Sequence, residues 1–145
     1  MANEDTFHLG IKALIRNNQG KILILHANMK LFDPPRPDHW DLPGGRVQRE
    51  DEDLEKTLSR EAKEEIGIKK KKIIKFFDSS VAKLRISGEE HWLILFTYLC
   101  SIGNTENISL TDDEHTEFKW CFPKEATKLL SVKFSDEFVE KLAKL

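Results

Sequence analysis

The chain is poor in several things, and each shortage excludes a class. It has 2 cysteines in 145 residues, Cys100 and Cys121. They show no CxxC spacing and have no histidine cluster beside them, so neither a disulfide scaffold nor a zinc site is expected. Both read as reduced, buried thiols. No apolar run approaches the ~20 residues that a membrane-spanning helix needs; stretches such as Trp92-Leu93-Ile94-Leu95-Phe96 are the longest. The opening residues Ala2-Asn3-Glu4-Asp5-Thr6 are polar and acidic. They lack the basic region and apolar core of a signal peptide, and a cytoplasmic location with no membrane partner is expected. Charge of one sign is also lacking. A net −2 from 23 basic and 25 acidic residues gives no overall field for duplex nucleic acid.

What is present is a chain of ordinary composition, 39% hydrophobic and 33% charged. Its length fits a single domain over 1–145, large enough for a core without staples. Residues 9–16 read as a strand, Asn17-Asn18-Gln19-Gly20 as a turn and 21–25 as the returning strand of a hairpin. Pro34, Pro35 and Pro37 mark a loop over 27–39. Trp40-Asp41-Leu42 is a short strand that ends at Pro43-Gly44-Gly45. Leu54, Leu58, Ala62 and Ile66 recur every four residues and predict a helix from about Asp51 to Ile66, capped by Gly67. Strands are expected at 73–86, 91–100 (central, being apolar on both faces) and 117–122, then helices at 123–130 and 134–144. Strands and helices mixed in this way predict an α/β (α+β) fold.

The small net charge conceals a segregation. Residues 50–65 hold eight acids: Glu50, Asp51, Glu52, Asp53, Glu55, Glu61, Glu64 and Glu65. Four lysines, Lys69 to Lys72, follow and read as a solvated helix end. On a wheel with ~100° per residue, Glu65 lies ~40° and Glu61 ~80° from the centre of the apolar stripe. A purely solvating charge would avoid that side. Carboxylates at i and i+4 repel, and Glu64 adds a third acid. Hard divalent cations prefer such oxygen donors. Upstream, Gly44 and Gly45 permit a sharp turn and close approach of backbone to a ligand.

Residues 45–68, GRVQREDEDLEKTLSREAKEEIGI, resemble the Nudix box, Gly-x5-Glu-x7-Arg-Glu-U-x-Glu-Glu-x-Gly-U with U aliphatic or small. Arg60, Glu61, Ala62, Glu64, Glu65, Gly67 and Ile68 match its second half without a gap. The first half departs: six residues, not five, separate Gly45 from Glu52. Either the loop carries an insertion or Asp51 takes the place of the first glutamate. The lead-in Trp40 to Gly45 and Glu117-Phe118-Lys119-Trp120 also resemble Nudix domains.

The resemblance implies a mixed sheet in an α/β/α sandwich and hydrolysis of a nucleoside diphosphate linked to another moiety. It assigns Glu61, Glu64 and Glu65 to Mg²⁺ or Mn²⁺, with a carbonyl of Gly44 or Gly45 as a further ligand, and gives Arg60 the orientation of a glutamate. The general base is Glu61, or Glu114 or Glu117 outside the box. Arg46 meets a substrate phosphate or simply faces solvent. Phe32 and Arg36 belong to a mobile surface loop or a substrate lid. Trp40 is a core or anchoring side chain, with a base-stacking surface as the minor reading. His115, between Glu114 and Glu117, reads as an ordinary surface histidine, with assistance near the metal as the minor reading; Trp92, Trp120, Tyr98 and the phenylalanines read as core. The short chain is similar to compact MutT-like members, so the expected substrate is a nucleoside triphosphate or related small nucleotide. ADP-ribose, dinucleoside polyphosphates and nucleotide sugars are alternatives, as is a non-catalytic nucleotide sensor. A homodimer is compatible with the family.

Overall fold

A computed structural model describes residues 4–103 and 107–145. The element order is β1 (Phe7–Arg16), β2 (Ile22–Ala27), β3 (Trp40–Asp41), β4 (Gly44–Arg46), α1 (Leu54–Ile66), β5 (Lys72–Ile86), β6 (Glu89–Ser101), β7 (His115–Cys121), α2 (Pro123–Leu130) and α3 (Asp136–Ala143). The strands form one mixed sheet with a main path β3-β2-β1-β6-β5, while β4 pairs with β1 and β7 with β2. The parallel pair is β1 with β6, in register from Phe7↔Trp92 to Arg16↔Ser101.

Strand alternation builds a core on each face of the sheet. Ile11, Ala13 and Ile15 of β1 point to one side, where Leu58, Ala62 and Ile66 of α1 cover them. Leu14 of β1, with Ile22 and Ile24 of β2, faces Ala126, Leu130, Phe138 and Leu142 of α2 and α3. The result is the expected α/β/α sandwich. As expected, β6 is an inner strand, and Cys100 and Cys121 are buried and free.

Several sequence expectations are refined. The β1–β2 hairpin is paired only at its base, Arg16↔Ile22. Beyond that point β1 gives its edge to β4, and β2 turns to β3 and β7. The helix starts at Leu54 rather than Asp51, because the Asp53 side chain accepts the Lys56 N–H at 2.8 Å and caps it. The turn before β6 is only Ser87-Gly88, both at positive φ (51° and 81°), the two-residue geometry that suits the sheet twist. The last helix begins at Asp136 because Ser135 caps it. The expectation that the phenylalanines are core fails for Phe7, Phe76, Phe118 and Phe122, which are exposed. Trp92 is only half-buried, packed between Phe7 and Lys83, and Trp120 and Tyr98 pack half-buried against the α1-side core. No helix among the described residues is long and apolar enough to cross a membrane.

Candidate active site

Three segments meet at one end of the sandwich: the glycine turn, α1, and the segment running into β7. The turn is fixed by sterics. Gly44 has φ +152°, and a Cβ there would lie 2.0 Å from the Ile11 carbonyl oxygen and 2.8 Å from the Lys12 Cα. A Cβ at Gly45 would lie 2.3 Å from Glu61 Oε1. Only glycine lets β4 sit against β1 on one side and α1 on the other.

The end of α1 holds the third segment. A helix leaves its last carbonyls unpaired. Here the Ser109 N–H donates to the Ile66 carbonyl at 3.0 Å and the Thr111 N–H to that of Glu65 at 3.2 Å, while the Thr111 hydroxyl donates to that of Glu64. From the other side, the Asn28 N–H donates to the Glu114 carbonyl at 2.9 Å, and its side-chain amide donates to that of Asp113 at 2.8 Å. Asp112, Glu114 and His115 are thereby delivered to Glu65.

The acids divide into two groups. Arg60 gathers the first. Its Nη2 and Nε donate to the two oxygens of Asp51 at 3.0 and 3.3 Å, and its Nη1 donates to Glu61 Oε1 at 2.8 Å and Glu64 Oε2 at 3.4 Å. Asp51 also accepts from Thr57 Oγ1 at 2.9 Å and from the Gln48 N–H at 2.8 Å. These donors, Arg60 first, hold its carboxyl well below the usual carboxylate range. Glu52 is 75% exposed and pairs with Lys56. The residue that meets the box arginine is Asp51, the second of the two readings that the irregular spacing left open, while Glu52 pairs with Lys56.

The second group has no cation within it. Glu65 is buried, and its Oε1 accepts the Gly44 N–H at 2.8 Å. Among the described residues its Oε2 has no hydrogen-bond partner, and neither has His115 Nδ1, which lies at ion-pair distance from it, 3.3 Å away. Glu65, Asp112, Glu114 and His115 each offer one ligating atom, and these atoms lie within 4.8 Å of one another. Burial pushes the Glu65 carboxyl up to about 9, opposed by Lys12 and the Gly44 N–H and reinforced by Glu61 and Glu114. Burial, then Asp112 and Glu61, raises Glu114. Burial lowers His115, despite the opposing charge of Asp41. His115 is no surface histidine: its side chain is only 7% exposed, because Asn28 and the α1 end fold its segment inward. An orphaned buried carboxylate oxygen among oxygen donors fits a hard divalent cation.

Of the remaining expected residues, Gly44, Gly45, Arg60, Glu61, Glu65 and Glu114 come together. Glu64 is 58% exposed on Arg60 and lies outside the four-residue cluster. A cleft of about 450 Å³ is lined by Lys12, Phe32, Arg46, Glu65, Glu114 and His115. A second, of about 540 Å³, includes Lys12, Gly45, Arg46, Glu61 and Glu114. Glu117 lines neither, sitting in β7 opposite His26. Trp40 packs against the α2–α3 core as an anchor.

Sequence reading missed Lys12, Asp41 and Lys133. The Lys12 ammonium donates to Asp41 Oδ2 at 3.0 Å and to the Leu42 carbonyl at 3.2 Å, and Lys133 also donates to Asp41 Oδ2. Burial opposes the charge on Lys12, yet Asp41 and Glu65 leave it raised; Lys12 and Lys133 likewise outweigh burial and lower Asp41. A lysine alternating with Gly10 and Leu14 inside an apolar strand was a signal available in the sequence. Lys133 left none.

A family model, the NUDIX domain, matches residues 6–142. The chain belongs to that family. The fold is similar to that of a MutT protein from Methanosarcina mazei Go1 (TM-score 0.71, 23% identity, covering 99% of this chain and 97% of that one). It is also similar to an Ap4A hydrolase from C. elegans (TM-score 0.69, 23%, 94% and 96%). An E. coli dihydroneopterin triphosphate pyrophosphohydrolase matches with TM-score 0.71 at 17% identity, covering 97% and 99%. At these identities the likeness is one of fold. Sequence comparison with curated proteins gave no match.

Proposed function

We propose that this chain, with Mg²⁺ or Mn²⁺ bound, hydrolyses a pyrophosphate bond in a nucleoside diphosphate linked to another moiety, a nucleoside triphosphate or a related small nucleotide. The observation that carries this reading is Glu65 Oε2, buried and unpartnered among Asp112, Glu114 and His115. Those four residues would hold the cation, with Glu61, Glu64 and the Gly45 carbonyl nearby as the box implies. A divalent ion supplies charge screening on the phosphates and a more acidic bound water.

The chain's own groups do the rest. Gly44 holds Glu65 through its N–H, so the carboxylate is oriented before substrate arrives. Arg60 engages Oε1 of Glu61 and leaves Oε2 free to accept a proton. The water oxygen bonds to phosphorus, the phosphoanhydride P–O bond breaks, the proton goes to Glu61, and the departing phosphate carries away the bond's electron pair. Arg46, exposed and without an acidic partner among the described residues, faces both clefts and contacts the substrate phosphates. Phe32, held under Arg36 at 5.0 Å, borders the cleft that contains Glu65.

The test is a phosphate-release screen over nucleoside triphosphates, ADP-ribose, dinucleoside polyphosphates and nucleotide sugars, with and without Mg²⁺. Turnover of at least one compound, dependent on the metal, is the expected result. Silence across the panel, with nucleotide binding retained, would replace the enzyme by a sensor.

A further inference from the structure

β6 carries apolar residues on both faces, the pattern of a strand buried on both sides. One of those faces is only partly covered. On the α1 side, Leu58, Ala62 and Ile66 reach Ile11, Ala13 and Ile15 of β1. Toward the start of β1 the helix no longer covers the sheet. Register sets Phe7 beside Trp92 and Leu9 beside Ile94, with Val81 of β5 on the other side of Ile94. None of these five residues, nor Phe96, belongs to either core. Phe7, Leu9 and Val81 are exposed, and Trp92, Ile94 and Phe96 are half-buried. Phe7 meets Trp92 with ring centroids 6.3 Å apart, and the exposed Phe76 meets Phe96 at 6.3 Å, so the apolar surface is continuous across three strands. With ~150–250 Å² on each aromatic side chain, its exposed part amounts to about 500 Å².

The patch lies between charges of opposite sign. On the β1 side runs the segment that follows β4, tied to β1 by the Val47 N–H on the Leu9 carbonyl at 2.8 Å. Its residues 49–56 hold five acids and two bases. On the other side is β5, the last strand of the sheet path, with Lys72, Lys75, Lys83 and Arg85. The one acid of β5, Asp78, is buried and accepts from Lys141 of α3, on the opposite face of the sheet. Within the rims Glu52 is matched by Lys56, and Lys83 by Glu90 at 3.2 Å. Glu50 and Glu55 have no ion-pair partner among the described residues. Neither has Arg85, whose guanidinium donates to the Gly88 carbonyl at 3.5 Å.

We infer that this face is a homodimer interface, in which a second copy of the chain packs sheet against sheet about a two-fold axis lying along β6. Rotation about that axis sets the β1 side of one copy over the β5 side of the other. Glu50 then meets the partner's Arg85, and the contact occurs twice by symmetry. An axis across the strands would set acids on acids. The lysines of β5 resist strand addition at its free edge, so the copies meet by face and not by edge. Patch and rims together match the ~800 Å² that each partner contributes to a standard interface, ~65% of it apolar in homodimers. The acidic rim repels an anionic lipid surface, which the basic rim alone would suit. The face shares no residue with the Glu65 cluster, so the inference stands apart from the hydrolase reading.

Sedimentation velocity of the full chain over a concentration series decides it. Wild type should form a dimer with a Kd below about 10 µM. Val81→Glu, at a side chain 60% exposed, should raise that Kd at least about ten-fold. Val132→Glu, 57% exposed but in the turn between α2 and α3, should leave it within about two-fold. Glu50→Arg and Arg85→Glu should each weaken the dimer about five-fold, and the double exchange should bring it back to within about two-fold of wild type. Circular dichroism of every variant should match wild type, since all four positions are exposed. A wild type still monomeric at about 200 µM overturns the inference, whether or not it binds anionic vesicles. So does a dimer that Val81→Glu leaves intact, or that Val132→Glu weakens as much. Failure of the double exchange to restore association overturns the axis along β6, and the proposed contact with it.

Discussion

The two faces of helix α1 that look into the site treat clustered acids in opposite ways. On the exposed face, Glu61 and Glu64, with Asp51 from the loop before the helix, all converge on one guanidinium, and each carboxylate has a donor. Toward its end, Glu65 meets Asp112, Glu114 and His115, and two buried polar atoms face each other unpaired. A buried charge is costly unless paired. The first group is complete without help and holds Glu61 in place; the second is completed only by something added. Adjacent residues in one helical turn, Glu64 and Glu65, thus fall on different sides of this division because one is exposed and the other buried.

The sharpest way to break the comparison is Glu65→Gln. The amide keeps its oxygen on the Gly44 N–H but lacks the charge that a cation needs. Metal-dependent turnover should fall by at least about a hundred-fold. Circular dichroism should be unchanged, and the melting temperature without metal should not drop near neutral pH, since the amide keeps the Gly44 contact and, like the raised carboxyl it replaces, carries no charge. Near-normal kcat in Mg²⁺ would show that the end of α1 is as self-sufficient as its exposed face.

A smaller effect separates the two groups by pH. The Glu65 carboxyl sits at about 9 in the folded chain against an ordinary 4.5. Between those values the folded state binds more protons than the unfolded one, so stability falls as pH rises. His115, lowered by burial, is neutral in both states above its ordinary 6.5 and drops out there. From pH 7 to 8.5 the metal-free protein should therefore lose stability, by at most about 1.4 kcal/mol per pH unit. Mn²⁺ or Mg²⁺ should remove most of the slope, as should Glu65→Gln; what remains comes from Glu114 and, toward pH 8.5, from the buried thiols of Cys100 and Cys121, all raised by burial. Asp51, held low by Arg60, adds nothing in this range. A flat metal-free profile in urea denaturation would mean that the second group is already paired.

The fold was legible in the sequence where one rule dominated: the every-fourth-residue stripe of α1, Pro123 opening α2, and the doubly apolar β6. It was less legible where tertiary pairing decided, as when β1 yields its edge to β4 and the hairpin survives only at Arg16↔Ile22. The acids of the box were readable because their spacing is local. Asp112 and His115 were not, since they reach Glu65 only through hydrogen bonds to helix-end carbonyls and to Asn28, far away in sequence. His115 looked like a surface residue because its immediate neighbours in sequence, Asp113, Glu114, Thr116 and Glu117, are all polar.

The smallest expected effect bears on the self-sufficient group and on the one irregularity of the box. Counted from the glycine, Glu52 is displaced by one residue; counted from Arg60, it stands at the expected place. Geometry decides for Asp51, since the loop before α1 turns it inward, where Thr57, Gln48 and Arg60 all donate to it. Glu52 points to solvent with Lys56, and an exposed pair of this kind contributes little. Glu52→Gln should leave the melting temperature within about 2 °C of wild type and kcat within about two-fold. Asp51→Asn keeps the size and some hydrogen bonds but loses the charge that holds Arg60, and through it Glu61. Its kcat should fall about ten-fold while the Glu65 pH slope persists, because an outer partner orients the working group without being one. The reverse ranking of the two variants would place the first box acid at Glu52 and make the Asp51–Arg60 contact incidental.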